Sequence, residues 1–508
     1  MLTRLRVKGF KNLVDVDVHF GPFTCIAGAN GVGKSNLFDA IRFMSALADD
    51  TFLDAARSVR DEAGKTGDVR AIFNRVGGIQ GRQLEFEAEM IVPETGADDL
   101  GQVAAAQTTF LQYKLVLRHR PSGPVQLGDG FELITEELTS FRSQELAGLI
   151  QFPHSAEWGR TAAVHRDTPR FRNYISTGVS VVYLHADGIS HKKTARPALP
   201  LPKTVLSATN ATESPTAFLA RREMRSWRLL HLETTALREP DDVTDTPRLG
   251  SDGSHLPATL YRLAREAARD PGAAGTVYER VAGRLHQLIQ EVRQVDVDHD
   301  EKRGLLTLMA TDARGTRFAA RDLSDGTLRF LALAVLELDP GGHGLICFEE
   351  PENGIHPARI PAIMRLLKDI AVDAEWPVGP DNPLQQVIVN THSPGVVGEI
   401  DPDDLLYAEG RERKGADGQW QTEVGFTFHA GTWRHESWLG TIGKATAPVT
   451  SPGNIKKYLS PVTLLPAGGA TEDTGSHLGN GKARGTKAGR IADRPEYRNL
   501  LIDFGDGA

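Results

Sequence analysis

The stretch Gly28-Ala29-Asn30-Gly31-Val32-Gly33-Lys34-Ser35 decides the fold of this chain. It follows an apolar run, Phe23 to Ala27, and precedes a segment whose apolar residues recur at helical spacing. Gly-x-x-x-x-Gly-Lys-Ser between a strand and a helix is typical of a phosphate-binding loop, whose backbone N–H groups surround the phosphates. Lys34 then reaches the terminal phosphates, and the Ser35 hydroxyl ligates Mg²⁺. The other residues expected to contact the nucleotide are Asn30, Gly31, Gly33 and Asn36.

The composition predicts a soluble globular protein. With 508 residues, 40% of them hydrophobic, the chain suits two or three domains or one large domain with insertions. It has no run of about 18 apolar residues, and its first segment has a strand pattern instead of a signal peptide, so we expect a cytoplasmic location without membrane contact. The two cysteines, Cys25 and Cys347, provide neither a disulfide framework nor a zinc site.

The net charge of −8 is distributed unevenly. Residues 160–228 contain twelve Lys or Arg against four acidic residues, a local charge of +8, which leaves −16 on the remainder. Interleaved aromatic residues suit contact with a nucleic-acid backbone and stacking on bases. A solvated basic face that pairs with the acidic remainder explains the same pattern, and both interpretations stay open. The residues concerned are Arg166, Arg170, Phe171, Arg172, Tyr174, Lys192, Lys193, Arg196, Arg221, Arg222, Arg225, Trp227 and Arg228.

The chain divides into segments by pattern. Strands on either side of a turn at Lys11-Asn12 precede the phosphate loop, and the runs Leu84 to Val92 and Phe110 to Leu117 predict an antiparallel layer beside it. The segments are an N-terminal lobe with the phosphate loop (1–136), a basic insertion with little core of its own (137–255), a helical segment and hairpin (256–321), a C-terminal lobe (322–410), a C-terminal extension (411–465) and a flexible tail (466–508).

The helical segment carries two local predictions. Apolar residues at helical spacing predict one helix whose buried face extends as far as Val292. A polar turn with Gly315 joins Leu305–Ala310 to Arg317–Ala320 and predicts a hairpin. The apolar residues of the helix are Val277, Val281, Leu285, Leu288 and Val292.

An apolar strand that ends in two carboxylates, Leu345 to Glu350, supplies what a nucleotide hydrolase needs opposite its phosphate loop. Glu349 is predicted to hold Mg²⁺, and Glu350 to orient or polarise the attacking water. A second apolar strand, Gln386 to Thr391, ends just before His392. Because ligands bind at the carboxyl ends of strands in open α/β sheets, His392 is predicted to contact the γ-phosphate. Taken singly, each feature also suits an exposed carboxylate or a structural histidine.

Leu323-Ser324-Asp325-Gly326-Thr327 precedes another segment with helical spacing. Ser324 is a favourable N-cap, and Gly326 lets the backbone approach an anion closely. The same residues suit an ordinary capped helix. Because they come just ahead of the acidic strand, we expect Ser324 and Gly326 to bind nucleotide.

Four motifs in this order resemble the ATP-binding-cassette heads of the RecF, SMC and OLD (overcoming lysogenization defect) group. They are the phosphate loop, the Leu-Ser-x-Gly sequence, the acidic strand with Pro351-Glu352-Asn353-Gly354-Ile355-His356-Pro357, and Thr391-His392-Ser393. Val7 to Asn12 is similar to the first strand of the group. Compact bacterial AAA-type ATPases of the group are most similar, many of them from antiphage systems such as the Septu type. The resemblance covers residues 1–48 and 322–400 well and the rest loosely.

The resemblance implies an α/β fold, a P-loop NTPase of the ABC-ATPase head type split by a mixed α/β insertion. Such heads dimerise with ATP between them, and the Leu-Ser-x-Gly segment of one subunit caps the γ-phosphate bound by the other. Ser324 and Gly326 would then act in trans. The roles in cis would be those of Lys34 and Ser35 on ATP and Mg²⁺, Glu349 on Mg²⁺, Glu350 on water and His392 on the γ-phosphate.

The sequence departs from the group's pattern in three respects. Glu349 replaces the more usual Asp, and Asp325 stands where transporters have Gly. The glutamine that senses Mg²⁺ has three candidates, which are Gln80, Gln83 and Gln112. Leu406 to Gly410 resembles the first motif of the Toprim domain of OLD nucleases, but no suitable Asp-x-Asp pair follows, so we expect no nuclease centre in this chain.

These features together predict an ATPase whose ATP-driven dimerisation controls a nucleic-acid-directed complex, in antiphage defence with a separate nuclease as partner. Two alternatives use the same site. One is a DNA repair or recombination ATPase that binds DNA directly through residues 160–228. The other is an assembly module in which ATP holds subunits together without hydrolysis.

Overall fold

The computed structural model of the chain describes residues 1–59, 69–76, 79–121, 129–141, 148–166, 173–187, 193–198, 201–268, 277–289, 292–339, 344–414, 418, 420–442, 447–459 and 489–494. Its strands are β1 (Leu2–Phe10), β2 (Leu13–His19), β3 (Phe23–Ala27), β4 (Arg75–Val76), β5 (Ile79–Gln80), β6 (Gln83–Ile91), β7 (Thr95–Ala97), β8 (Val103–Ala105), β9 (Phe110–Arg120), β10 (Gly130–Ser140), β11 (Asn173–Gly178), β12 (Val181–His185), β13 (Lys193–Pro197), β14 (Arg228–Leu230), β15 (Asp241–Asp242), β16 (Val292–Asp300), β17 (Leu305–Asp312), β18 (Arg317–Ala319), β19 (Gly344–Glu349), β20 (Gln385–Thr391), β21 (Leu405–Lys414) and β22 (Trp420–Phe428).

The α-helices of the described residues are α1 (Lys34–Ala46), α2 (Phe52–Ser58), α3 (Ala156–Ala162), α4 (Pro215–Arg225), α5 (Thr234–Arg238), α6 (Leu256–Ala267), α7 (Val277–Leu288), α8 (Asp325–Leu338), α9 (Ile360–Ile370), α10 (Pro394–Glu399), α11 (Trp433–Ile442) and α12 (Pro452–Leu459). Short 3₁₀ helices are Val69–Ile72, Leu206–Ala208, Ala320–Asp322, Pro357–Arg359, Pro402–Asp404 and Ile491–Asp493. Among the described residues, no helix is both long enough and apolar enough to cross a membrane.

An eight-stranded antiparallel sheet contains β1 and β2 from the start of the N-terminal lobe and β10 from its end. Its order is β13, β12, β11, β10, β9, β6, β1, β2, and β1 and β2 meet at the predicted turn, Lys11-Asn12. Alternation along β1 buries Leu5 and Val7, which lie opposite Ala88 and Phe86 of β6. The predicted antiparallel layer beside the phosphate loop is therefore confirmed.

A six-stranded sheet follows the order β14, β19, β20, β3, β21, β22. All neighbours are parallel except β21 and β22, which form an antiparallel hairpin. The central strands are buried on both faces, which is why they read as continuous apolar runs. One face packs on the core shared with the eight-stranded sheet and α1, and the other packs on α8 and α9.

A smaller antiparallel sheet is built around β17, which pairs with β15, β16 and β18. The β17–β18 pair is the hairpin predicted from the sequence. The helix before this sheet differs from its prediction, since α7 ends at Leu288 and Val292 begins β16 instead of sharing a helix face. An apolar residue at helical spacing suits the start of a strand equally well, so periodicity alone did not locate this boundary.

The basic insertion expected over 137–255 is partly a continuation of the first sheet. The boundary expected after residue 136 lies inside β10, and β11, β12 and β13 extend the same sheet. Tyr174, Leu184 and Leu219 of this region belong to the main hydrophobic core. Of the flexible tail expected over 466–508, only 489–494 lies within the described residues.

Candidate active site

Three parallel strands end side by side at one edge of the six-stranded sheet. β20 lies between β19 and β3, and the register pairs Glu349 with Asn390 and Thr391 with Ala27. The phosphate loop follows β3, Glu350 follows β19 and His392 follows β20, so all three leave the sheet together. Ligands of open α/β sheets bind at such carboxyl ends. We call the carboxyl ends of β3, β19 and β20 the site edge.

The phosphate loop, Gly28–Ser35, turns through two glycines with positive φ. Gly31 has φ 77° and Gly33 has φ 111°, in the left-handed region that other residues rarely adopt. A Cβ on Gly33 would also collide with the side chain of Asn12. Helix α1 begins directly after the loop without a side-chain cap, so its start is available to an anion.

The ammonium of Lys34 lies on the loop itself. Its Nζ donates to the carbonyl oxygens of Gly28 at 2.7 Å and Ala29 at 2.9 Å. Burial lowers the pKa of Lys34. Attraction to three nearby carboxylates opposes that lowering, those of Glu350, Glu352 and Glu349. The positive charge is therefore held among oxygen acceptors, where a phosphate can replace the carbonyls.

Asn12 connects the phosphate loop to the eight-stranded sheet. From the β1–β2 turn, its Nδ2 donates to the carbonyl of Val32 at 3.0 Å, and its Oδ1 accepts from Asn36 Nδ2 at 2.8 Å. Beside it, Lys11 Nζ pairs with Asp39 of α1 at 2.8 Å. The loop and the first turn of α1 are thus held by one turn of the other sheet.

Glu350 is the centre of a hydrogen-bonded group at the site edge. Its Oε1 lies 2.7 Å from His392 Nδ1, and its Oε2 accepts from Asn353 Nδ2 at 2.7 Å. Its φ of 45° is rare outside glycine, and its N–H donates to the backbone and side-chain oxygens of Asn390, both at 3.1 Å. The Glu350 side chain is 31% exposed and that of His392 39%, so a ligand can reach both.

The other carboxylates of the site edge differ in burial. Glu349 ends β19, and its Oε1 accepts from Asn390 Nδ2 at 3.4 Å. Glu352 is only 8% exposed, and Thr391 donates its hydroxyl hydrogen to it. Burial raises the pKa of Glu352. Glu349 and Glu350 are therefore the accessible carboxylates, whereas Glu352 ties the turn after β19 to the end of β20.

Ser324 caps helix α8, as the sequence predicts. Its Oγ accepts from the N–H of Thr327 at 3.2 Å and lies 2.8 Å from Thr327 Oγ1. Gly326, in the first turn, has space around it, because a Cβ there would lie no closer than 3.6 Å to Ile355 Cδ1. We call Leu323–Thr327 the signature segment.

Two family models match parts of this chain. Residues 186–398 match a family model described as "AAA domain, putative AbiEii toxin, Type IV TA system". Residues 4–92 match a second model, described as an AAA domain. The second range contains β3 with the phosphate loop, and the first contains β19 and β20 with their carboxylates and histidine. Both models describe AAA domains, and they match the parts of the chain that carry the resemblance to RecF/SMC/OLD-like ABC-type ATPases.

Individual similar proteins match this chain either over a short segment or at low sequence identity. The OLD nuclease of Thermus scotoductus is 51% identical over 41 residues, which are 8% of this chain and 8% of that protein. A solved SMC head bound to the C-winged helix domain of ScpA is 14% identical and covers 83% of this chain and 97% of its own, with a TM-score of 0.43. For the SMC head domain from Thermotoga maritima these values are 12%, 84%, 98% and 0.34. The predicted α/β fold with a phosphate loop between a strand and a helix is confirmed, since β3 is a central strand of the mostly parallel sheet and α1 follows the loop.

The fold brings together some of the residues predicted for the active site and leaves others apart. Lys34, Glu349, Glu350 and His392 belong to elements that meet at the site edge. The hydrogen bonds of Ser324 within the described residues stay inside its own helix turn and do not reach the phosphate loop. Asn30 and Gly31 are exposed at the loop. The roles of all these residues remain predictions.

Three residues of the site were missed by sequence reasoning: Asn12, Asn353 and Asn390. Asn390 had a signal, because it is a polar residue that directly follows the apolar run Val387–Val389 and comes just before His392. Asn353 lies within a motif that was quoted for resemblance alone. Asn12 lies in a turn, where asparagine is common without any ligand, so no pattern distinguished it.

Part of the basic stretch of 160–228 is engaged in contacts within the chain. Arg221 and Arg225 both pair with Asp49, and Arg166 pairs with Glu94. Tyr174 and Trp227, both expected to be available for stacking, are only 3% exposed and belong to the main core. Arg170, Phe171, Arg172 and Lys192 lie outside the described residues. Among the described residues, the pattern thus favours a basic face paired with the protein's own acidic groups.

Two further expectations from the sequence concern the Toprim-like segment and the glutamine that senses Mg²⁺. Leu406 to Gly410, which resembles a Toprim motif, is part of β21. Because β21 pairs in parallel with β3, this segment belongs to the six-stranded sheet. The glutamine that senses Mg²⁺ is still unassigned. Gln83 bonds to Glu85 of its own strand, and Gln112 bonds to Glu87 of the neighbouring strand. The side chain of Gln80 lies outside the described residues.

Proposed function

We propose that this chain hydrolyses ATP with Mg²⁺ at the site edge, in a dimer that ATP holds closed. One observation carries the proposal. The phosphate loop with Lys34, the carboxylates after β19 and His392 after β20 follow three adjacent parallel strands. Nucleotide hydrolysis needs a loop that binds the phosphates, a metal-binding carboxylate and a group that orients water. Adjacent parallel strands place these groups side by side at one edge of the sheet.

Ser35 and Glu349 would hold Mg²⁺. Their hydroxyl and carboxylate oxygens are the hard ligands that this ion prefers. Asn390 supports this use of Glu349, because its Nδ2 lies 3.4 Å from Oε1 and orients the carboxylate at the end of β19. When bound, the ion offsets charge that develops on the phosphates.

Glu350 would accept a proton from the attacking water. As the water oxygen bonds to the γ-phosphorus, the bond from that phosphorus to the bridging oxygen breaks, and ADP leaves with the electron pair. Asn353 and His392 hold the two oxygens of Glu350, each at 2.7 Å, which fixes the direction of the carboxylate. Since His392 uses Nδ1 for this contact, its Nε2 is left for the γ-phosphate.

The signature segment would act on the nucleotide of a second copy of the chain. Two observations support this assignment. Ser324 does not bond to the phosphate loop of its own chain within the described residues. The open space at Gly326 shows that packing inside the chain does not require glycine there. A small residue at the start of a helix suits close approach of an anion from another subunit.

The test is ATP turnover combined with the oligomeric state. Glu350→Gln should lower phosphate release by about a hundredfold or more while leaving nucleotide binding intact. It should also increase the ATP-bound dimer, measured by light scattering after gel filtration. Ser324→Arg should prevent the dimer and its turnover but preserve ATP binding by the monomer. The exposed Glu375, changed to Gln, is the matched control.

Each alternative has its own outcome. ATP-dependent dimers without phosphate release in the unmodified chain would favour the assembly module. A monomer that hydrolyses ATP at full rate would exclude the shared site. A role in antiphage defence with a separate nuclease is our proposal for the setting, supported by the toxin and TA system in the description of the matched model. Loss of phage protection in Glu350→Gln cells that carry the neighbouring genes is the corresponding test.

A further inference from the structure

Helix α5 lies at the same end of the six-stranded sheet as the active site. It follows β14, which pairs in parallel with β19 and places Leu230 opposite Phe348. β14 therefore ends near Glu349, and the chain enters α5 at that edge. Nothing in the proposed chemistry uses this helix.

The loop at residues 249–253 fastens the start of α5. His231 donates its N–H to the carbonyl of Ser251 at 2.8 Å, and Glu233 donates to that of Asp252 at 2.7 Å. Gly253 has φ 93°, and a Cβ there would lie 2.8 Å from Leu237 Cδ2. The loop thus packs too closely on α5 for any other residue at this position.

The last residue of α5, Arg238, reaches from this platform to the signature segment. Its Nη2 donates to the carbonyl of Leu323 at 2.9 Å and to Asp325 Oδ1 at 2.6 Å. Its Nη1 donates to the carbonyl of Thr234 in its own helix at 3.2 Å. These contacts lie on both sides of Ser324. A planar guanidinium with several donors is suited to fix two acceptors at once.

We propose that Arg238 is a positioning residue that holds the signature segment in the shape needed to contact the nucleotide of a second copy of this chain. The inference rests on the proposed function. Ser324 is extended at φ −67° and ψ 152°, and within the described residues its Oγ bonds to Thr327 alone. Arg238 is what secures the preceding carbonyl and the following carboxylate, so it fixes the backbone that presents Ser324.

Stability alone would give Arg238 little importance. Its side chain is 26% exposed and that of Asp325 is 52% exposed, and ion pairs this accessible add little to folding. Arg238→Ala should therefore leave the melting temperature and the affinity of the monomer for ATP unchanged. It should lower kcat by about tenfold, because a small displacement of a contacting group is costly in catalysis.

Mixing of subunits tests whether Arg238 acts in trans. A dimer of one Glu350→Gln subunit and one Arg238→Ala subunit contains one site in which both residues are intact. Turnover of the mixture should exceed the sum of the separate variants. Arg321→Ala is the matched control, since Arg321 is 79% exposed, lies beside the signature segment and should keep full turnover.

The outcomes separate this inference from the proposed function. A mixture of Glu350→Gln with Ser324→Ala, which removes the hydroxyl without obstructing the dimer, should exceed the summed turnover of its separate variants if the shared site exists. If that mixture recovers while the Arg238→Ala mixture does not, or if Arg238→Ala alone has normal kcat, the role of Arg238 is wrong and the shared site stands. If neither mixture recovers, the shared site itself is excluded.

Discussion

The two large sheets use buried and half-buried carboxylates in opposite ways. Glu350, at the site edge of the six-stranded sheet, is 31% exposed and is held by His392 and Asn353. Glu136, in β10 of the eight-stranded sheet, is fully buried and accepts hydrogen bonds from the N–H groups of Val205 at 2.7 Å and Leu206 at 2.8 Å. The difference teaches that access decides the role of a carboxylate, because only the first can meet a ligand.

Glu136 should therefore control stability and not turnover. Burial raises its pKa from the ordinary 4.5 to about 7. The folded state thus binds the proton of Glu136 more tightly than the unfolded state. The contribution of this group to the free energy of unfolding is therefore greatest below pH 4.5 and is lost as the pH rises through 7. The shift corresponds to about 3 kcal/mol of folding free energy. Glu136→Gln should remove this part of the pH dependence.

The measurement is the apparent melting temperature of both proteins at pH 5 and pH 8. The free energy of unfolding of the variant should gain about 2.5 kcal/mol on that of the unmodified chain between these pH values, with turnover per folded molecule unchanged. Glu137→Gln, on the opposite face of β10, is the control and should leave the pH dependence as it was. Equal slopes for the two variants would mean that Glu136 does not carry the effect.

The same contrast explains what the sequence could predict. At the site edge, parallel strands buried on both faces are continuous apolar runs with the candidate residues after them, so it could be predicted from position that Lys34, Glu350 and His392 belong to one edge. In the eight-stranded sheet, β10 to β13 come from segments rich in polar and basic residues, and their pairing joins distant parts of the chain. Local pattern carries no information on such pairing, so the insertion was separated from the sheet that contains it.

Partners of functional residues were predictable only where they lie in the same motif. Asn353 follows Glu350 closely, whereas the distance in sequence from Arg238 to Asp325 is large and no periodicity relates them. Two of the three aromatic residues named for the basic stretch, Tyr174 and Trp227, gave the opposite error. Composition suggested surface stacking, but amphipathic packing buried Tyr174 and Trp227 in the core.

Asn12 is where the two sheets meet at the active site, and its loss should have an intermediate effect. Asn12→Ala removes one hydrogen bond to Val32 and one from Asn36, both at the phosphate loop. We expect the KM for ATP to rise by about tenfold, because a loosened loop must be ordered by the ligand. Asn454→Ala is the control, since Asn454 bonds to Glu409 on the surface. An unchanged KM would show that the turn does not shape the loop.

The smallest effect is expected for exposed basic residues of helix α3 and of β13 in the eight-stranded sheet. Arg160, Lys193 and Arg196 are exposed basic residues of the stretch, whereas Arg221 and Arg225 are paired with Asp49. If this charge serves the protein itself, changing the three exposed residues to Glu should leave affinity for a DNA duplex unchanged. The slope of log K against log salt should then move by less than about 1, since each lost phosphate contact would change it by about 0.9. A change near three would instead make this sheet a direct DNA surface, favour the repair alternative, and give the eight-stranded sheet a ligand of its own.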